Sequence, residues 1–239
     1  MFANFERQKG SDMKKLALII STLLLSVSVF AQQDVTKFLG IPVDGFKSEM
    51  IKKLKAKGYT EHPYKADVLV GEFNGRDVEI SVVTNNNKVY RIFVQDAYTV
   101  GEYDIKLRYN KLCEQFENNK RYISLAVEGQ SIPEDEDISD QMLLYKKRYE
   151  ALYFQAPEQL DTMAVQAALR EKILQKYTEE QLANPTPEMQ EEALKATFDI
   201  AFDIYEKKSV WFIINKEGNQ YRILMYYDNK YNEANGEDL

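Results

Sequence analysis

Asn74-Gly75, set between two runs of alternating apolar and polar residues, restricts the fold of this chain more tightly than any other feature. A two-residue Asn-Gly loop favours the left-handed turn that matches strand twist, so it predicts a β-hairpin. It pairs Phe73 with Arg76, Gly71 with Val78 and Leu69 with Ile80, which gathers the apolar side chains on one face. Asn85-Asn86-Asn87 predicts a second turn. Read as a three-residue loop with Asn87 left-handed, it sets Val82 opposite Tyr90, Ile80 opposite Ile92 and Val78 opposite Val94. A slip of one residue would carry the apolar set to the other face, so the core selects among registers. The result is an antiparallel meander.

Helical spacing flanks it. Met50, Ile51 and Leu54 share one face of a helix predicted over Phe46 to Lys57, with Gly58 as its stop. Lys52, Lys53, Lys55 and Lys57 form its solvated surface, near the end that the helix dipole makes favourable to cations. Thr99-Val100-Gly101-Glu102 reads as a capping box before a helix carrying Ile105, Tyr109, Leu112 and Phe116 on one stripe. A Tyr- and Leu-rich strand is predicted from Met142 to Gln155, then helices near Asp161 to Tyr177, a short piece from Thr178, and Pro187 to Lys207 with Thr186 as N-cap. The last element is a hairpin from Ser209 to Tyr227. Turning at Lys216-Glu217-Gly218, it places Trp211, Ile213, Ile223 and Met225 on one face and Phe212, Ile214, Leu224 and Tyr226 on the other. Apolar residues on both faces imply burial between layers, or a second face reserved for a partner.

The fold class expected is therefore α+β: an antiparallel meander and a C-terminal hairpin packed with about four to five helices, after a cleaved signal peptide. Lys14 and Lys15, the apolar run Leu16 to Phe30, and the small residues Val29 and Ala31 have the layout of such a peptide. The run is shorter than the ~20 apolar residues that span a bilayer, so no membrane span is expected. No cysteine follows it, which excludes a lipoprotein anchor. Met13 is the expected start codon and Gln32 the first mature residue.

The organisation expected is a leader and signal peptide at 1–31, an N-terminal half at 32–128, an acidic loop or linker at 129–140 (GQSIPEDEDISD), and a C-terminal half at 141–239. The two halves can also form one domain. Cleavage removes four of the 31 basic and two of the 38 acidic residues, which takes the net charge from −7 to −9. A negative chain lacks the field that nonspecific nucleic-acid or anionic-membrane binding requires. Its one cysteine, Cys113, lies beside the second helix stripe, reads as a buried inert thiol, and precludes an intramolecular disulfide.

Catalytic chemistry finds little support. With His62 as the only histidine and Cys113 as the only cysteine, no zinc site of the usual kind can be assembled. His62 reads as an exposed loop residue, and no nucleophile elbow or phosphate-binding glycine motif occurs. Glu134, Asp135, Glu136, Asp137 and Asp140 lack the spacing of a calcium loop and read as solvated. No catalytic, cofactor-binding or metal-binding residue is nominated. The aromatic clusters Tyr145, Tyr149, Tyr153, Phe154 and Tyr226, Tyr227, Tyr231 can serve as core, as interface anchors or as stacking platforms for sugars.

FLGIPVDG (Phe38 to Gly45), KSEMIKKLKAKGY (Lys47 to Tyr59), NGRDVEI (Asn74 to Ile80), TNNNKVYRI (Thr84 to Ile92) and the ending ANGEDL (Ala234 to Leu239) resemble a group of exported proteins of unknown function from Gram-negative gut anaerobes. The helix-then-meander order also resembles beta-lactamase inhibitor proteins and small outer-membrane assembly lipoproteins, by analogy of fold alone. The resemblance implies a fold and an exported location, and carries no activity. The expectation for function is an exported, noncatalytic periplasmic interaction module with a protein or glycan partner. The alternatives are a glycan or small-ligand module using the tyrosines, and a histidine-independent hydrolase such as a glycosidase.

Overall fold

A computed structural model of the chain describes residues 34–126, 129–158, 162–182, 185–234 and 236. The signal segment, the start at Gln32 and most of the ANGEDL ending lie outside the described residues. Among the described residues, six helices accompany an eight-stranded antiparallel sheet and a two-stranded one, which is the α+β class. No helix among them is long and apolar enough to cross a membrane.

A small hairpin of β1 (Lys37–Phe38) and β2 (Ile41–Pro42) precedes α1 (Lys47–Ala56) and β3 (Thr60–Glu61). The meander follows as β4 (Val68–Phe73), β5 (Arg76–Asn85) and β6 (Lys88–Asp96). Then come α2 (Glu102–Glu117), β7 (Tyr122–Ile123), α3 (Ile138–Leu144) and β8 (Glu150–Gln155). Helices α4 (Thr162–Leu174), α5 (Glu179–Leu182) and α6 (Pro187–Glu206) lead to β9 (Ser209–Glu217) and β10 (Gln220–Asp228). The large sheet runs β3-β4-β5-β6-β10-β9-β8-β7, so strands from both sides of the 129–140 segment share it.

The chain divides into two compact units. One joins Val35–Glu158 to Phe198–Leu239 and holds the sheet; the other lies within Gln159–Thr197. The helical unit contains α4, α5 and the first half of α6, and buries Ile173, Met189 and Ala196. Tyr177 donates to Glu192 (3.0 Å), and Thr186 accepts from the Met189 amide (3.3 Å), capping α6 as its sequence predicts.

In the sheet unit the core lies between one sheet face and α1 and α2. Met50 and Leu54 of α1 are buried, as are Ile105, Tyr109, Leu112, Cys113 and Phe116 of α2. Tyr109 meets Phe212 edge-on at 5.1 Å, and Phe116 stacks on Tyr153 at 4.7 Å. Arg108 of α2 reaches Asp96 at the end of β6 (3.1 Å), pinning the helix to the sheet.

The first hairpin has the predicted register throughout. The second differs. Its loop is the two-residue Asn86-Asn87, with φ of 47° and 64°, and a bulge follows between Val83 and Thr84, so Ile80 faces Val94 and Val82 faces Ile92. Either change alone would invert the faces; together they restore them, which is why the apolar set stays in the core. In the C-terminal hairpin no bulge compensates. Its loop is Gly218-Asn219, with Gly218 at φ 61°, and Phe212 pairs with Met225 while Trp211 pairs with Tyr226. The face assignment is therefore corrected: Val210, Phe212, Ile214, Ile223, Met225 and Tyr227 enter the core, and Trp211, Ile213, Leu224 and Tyr226 share the opposite face.

Two further elements depart from expectation. Val100 exchanges backbone hydrogen bonds with Tyr221 (2.8 and 2.9 Å), which draws Thr99 to the sheet, leaves Gly101 as N-cap of α2 and frees Glu102 to accept from the Ile138 amide (2.9 Å). The predicted long strand from Met142 is α3 at first, because Asp137 accepts from the Asp140 amide (2.8 Å) and caps a helix there; only Glu150–Gln155 is strand.

Candidate binding site

Because side chains alternate along each strand, the residues excluded from the core collect on the sheet face opposite α1 and α2. Leu152 of β8 pairs with Trp211 of β9, Trp211 with Tyr226 of β10, and Tyr226 with Phe93 of β6. The rings are in contact: Trp211 stacks on Tyr226 at 3.9 Å and 14°, and Tyr226 meets Phe93 at 5.1 Å. Two residues from Leu152 on the same face, Phe154 packs under Phe202 of α6 at 6.1 Å. An apolar and aromatic band thus crosses four adjacent strands and continues onto α6. It is open to solvent at Leu152 (43% exposed), Phe202 (46%) and Phe198 (67%).

One ion pair organises the band. Asp228, at the end of β10, accepts from Arg91 Nε (2.5 Å), from a terminal Arg91 nitrogen (2.8 Å) and from the Trp211 indole (2.9 Å), and its backbone carbonyl accepts from the Thr36 hydroxyl. The fork geometry fixes the guanidinium as well as balancing its charge. Arg91 is thereby held over the Tyr226 ring (5.0 Å) and near Trp211 (5.8 Å). The hydrogen bonds to Asp228 push the Arg91 pKa up despite partial burial, so the cation persists at any ordinary pH. Burial raises the Tyr226 hydroxyl, with the Arg91 charge opposing. The band therefore keeps the Arg91 cation near neutrality, with the Trp211 indole and two of the Arg91 nitrogens bonded to Asp228.

Residues singled out in the sequence scatter. Tyr149 and Tyr153 are buried, Tyr145 is exposed, and Phe154 points to the band, so that cluster is split between faces. Tyr226 lies in the band, whereas Tyr227 enters the core side. His62 is largely enclosed, in place of the exposed loop position expected: its Nδ1 accepts from the amides of Tyr64 and Lys65 (3.0 Å each) and its Nε2 lies 3.5 Å from Glu79. Cys113 is buried, and that burial pushes its thiol up to about 11. Within the acidic run, Glu136 accepts from Lys147 and from Tyr149, and Lys106 donates to the carbonyls of Glu134 (2.6 Å) and Glu136 (2.9 Å). Among the described residues no group of three or more His, Cys, Asp or Glu is placed to share a metal ion.

These features define an α+β protein built on a helix-backed antiparallel sheet with an aromatic second face. Compared with protein-family models, with curated proteins and with solved structures, the chain matches none.

Proposed function

We propose that this is an exported, noncatalytic interaction module of the cell envelope, binding another macromolecule through the band on its second sheet face. The contiguity of Phe93, Tyr226, Trp211, Leu152 and Phe202 across the sheet unit carries the reading. Tyrosine, tryptophan and arginine dominate the energetics of protein interfaces because they bury large area with few rotors, and here Arg91 and Trp211 are already fixed by Asp228. The leader with its basic and apolar regions supports export. The test compares wild-type protein with Trp211→Ala as bait for envelope extract, with melting temperature confirming that both are folded. Loss of the anchor is expected to weaken retention of a stoichiometric partner by about 2 kcal/mol, roughly thirtyfold. Equal retention by both proteins rejects the band as the contact.

A further inference from the structure

The opposite side of the same unit carries a cleft of about 990 Å³, bounded by the β1–β2 turn, the C-terminal half of α2, β7 and the end of β8. Four cations line it, Lys37, Lys120, Arg121 and Lys208, against two carboxylates, Glu72 and Glu158, in a chain whose net charge is −7. Lys37 is engaged by Glu158 (2.6 Å), and Lys208 donates to the Ala156 carbonyl (3.3 Å). Lys120 and Arg121 are exposed on the lip and make no ion pair among the described residues.

Most polar side chains of the walls, the Glu72 carboxylate excepted, are committed to partners within the protein. Gln155 accepts from the Lys37 amide (2.8 Å) and donates to the Lys37 carbonyl (2.7 Å) and the Tyr122 hydroxyl (3.2 Å). Tyr59 donates to the Glu72 carbonyl (3.0 Å), Asn74 and Gln115 bond each other (2.7 Å), and Asn119 accepts from the Arg121 amide (3.1 Å). A sugar would find few unpaired hydrogen-bonding groups here. What remains to offer is apolar surface, from Leu39, Phe73 and Tyr122, and the two cations above it.

Leu39 is the informative residue. It occupies the first position of a two-residue turn with Gly40, at φ 52°, where asparagine or glycine fits without strain. A leucine in that region costs on the order of 1 kcal/mol, and its side chain is 37% exposed at the cleft, so the core does not repay the strain.

We infer that this cleft binds an amphipathic organic anion, its apolar body against Leu39, Phe73 and Tyr122 and its negative head group on Lys120 and Arg121. The cleft is separate from the interaction face, which lies on the other side of the sheet.

Calorimetric titration of the full chain with laurate, its neutral glyceryl ester and glucuronate tests it. Laurate is expected to bind, the ester about tenfold more weakly, and glucuronate not measurably. Lys120→Glu/Arg121→Glu should weaken laurate about tenfold or more with the melting temperature kept, because both side chains are at the surface. Leu39→Gly should lower laurate affinity while leaving the fold as stable or more so, a pairing that a purely structural leucine would not give. Trp211→Ala should leave laurate binding unchanged. Glucuronate binding in place of laurate, or laurate binding that survives the charge reversal or disappears with Trp211→Ala, overturns the inference.

Discussion

Gly71 and Tyr59 show how closely single residues are fitted. A β-carbon on Gly71 would lie 2.6 Å from the Tyr59 ring, inside any allowed contact. Gly71→Ala should therefore cost about 1–3 kcal/mol in chemical denaturation, and much of that should return when Tyr59 is shortened to leucine. Cys113 supplies a second check. Its thiol is buried and raised to about 11, so a thiol reagent at pH 8 should leave the native protein unmodified and label one thiol per chain after unfolding. Both residues were legible in part: Gly71 as a strand position on the core face, Cys113 beside the helix stripe. The contact of Gly71 with Tyr59 was not, because nothing local in the sequence says which side chain crosses a glycine. The role of Asp228 in fixing Arg91 and Trp211 was equally hidden, since those residues meet only through sheet pairing.

Two ionic contacts seat helices. Arg108→Met would leave Asp96 without its guanidinium and should lower stability by about 3 kcal/mol, and the double variant with Asp96 also made apolar should lose less than the two single variants summed. At α3, hydrogen bonds from Lys147 and Tyr149 hold the Glu136 carboxyl below its ordinary range. A depressed carboxylate contributes stability above its unfolded pKa, about 4.3, and loses it as pH falls through the lower folded value. Glu136→Gln should thus flatten the acid limb of a stability profile between about pH 5 and the folded value, with little change in slope at neutral pH. Elements with strong periodicity were readable from sequence, down to the register of the Asn74-Gly75 hairpin. The two misread turns share a cause. Asn87 and Gly218 mark a turn without fixing its length, and one residue in loop length exchanges the faces of a strand, so Trp211 was grouped with Ile223 when it pairs with Tyr226. Thr99 had the spacing of a capping box, but the Val100–Tyr221 bridge took its backbone into the sheet.

The protein's architecture follows from that alternation of faces. One side of the sheet is closed by α1 and α2 over an aliphatic and aromatic core, and the other presents a row of rings fixed by one carboxylate. The class of fold was legible because helical and alternating patterns are local. The band was not, since it is assembled from β6, β8, β9, β10 and α6, whose order in the sheet differs from their order in the chain. The most direct test places a photo-crosslinking amino acid at Leu152 inside the band, or at Tyr64, which is 92% exposed and remote in the sheet order, in cells that make the protein. Irradiation should give a discrete adduct from position 152 that is absent from position 64 and is lost when Trp211 is changed to alanine. The same adducts from both positions, or an adduct at 152 that ignores the loss of Trp211, would contradict the assignment of this face to partner binding.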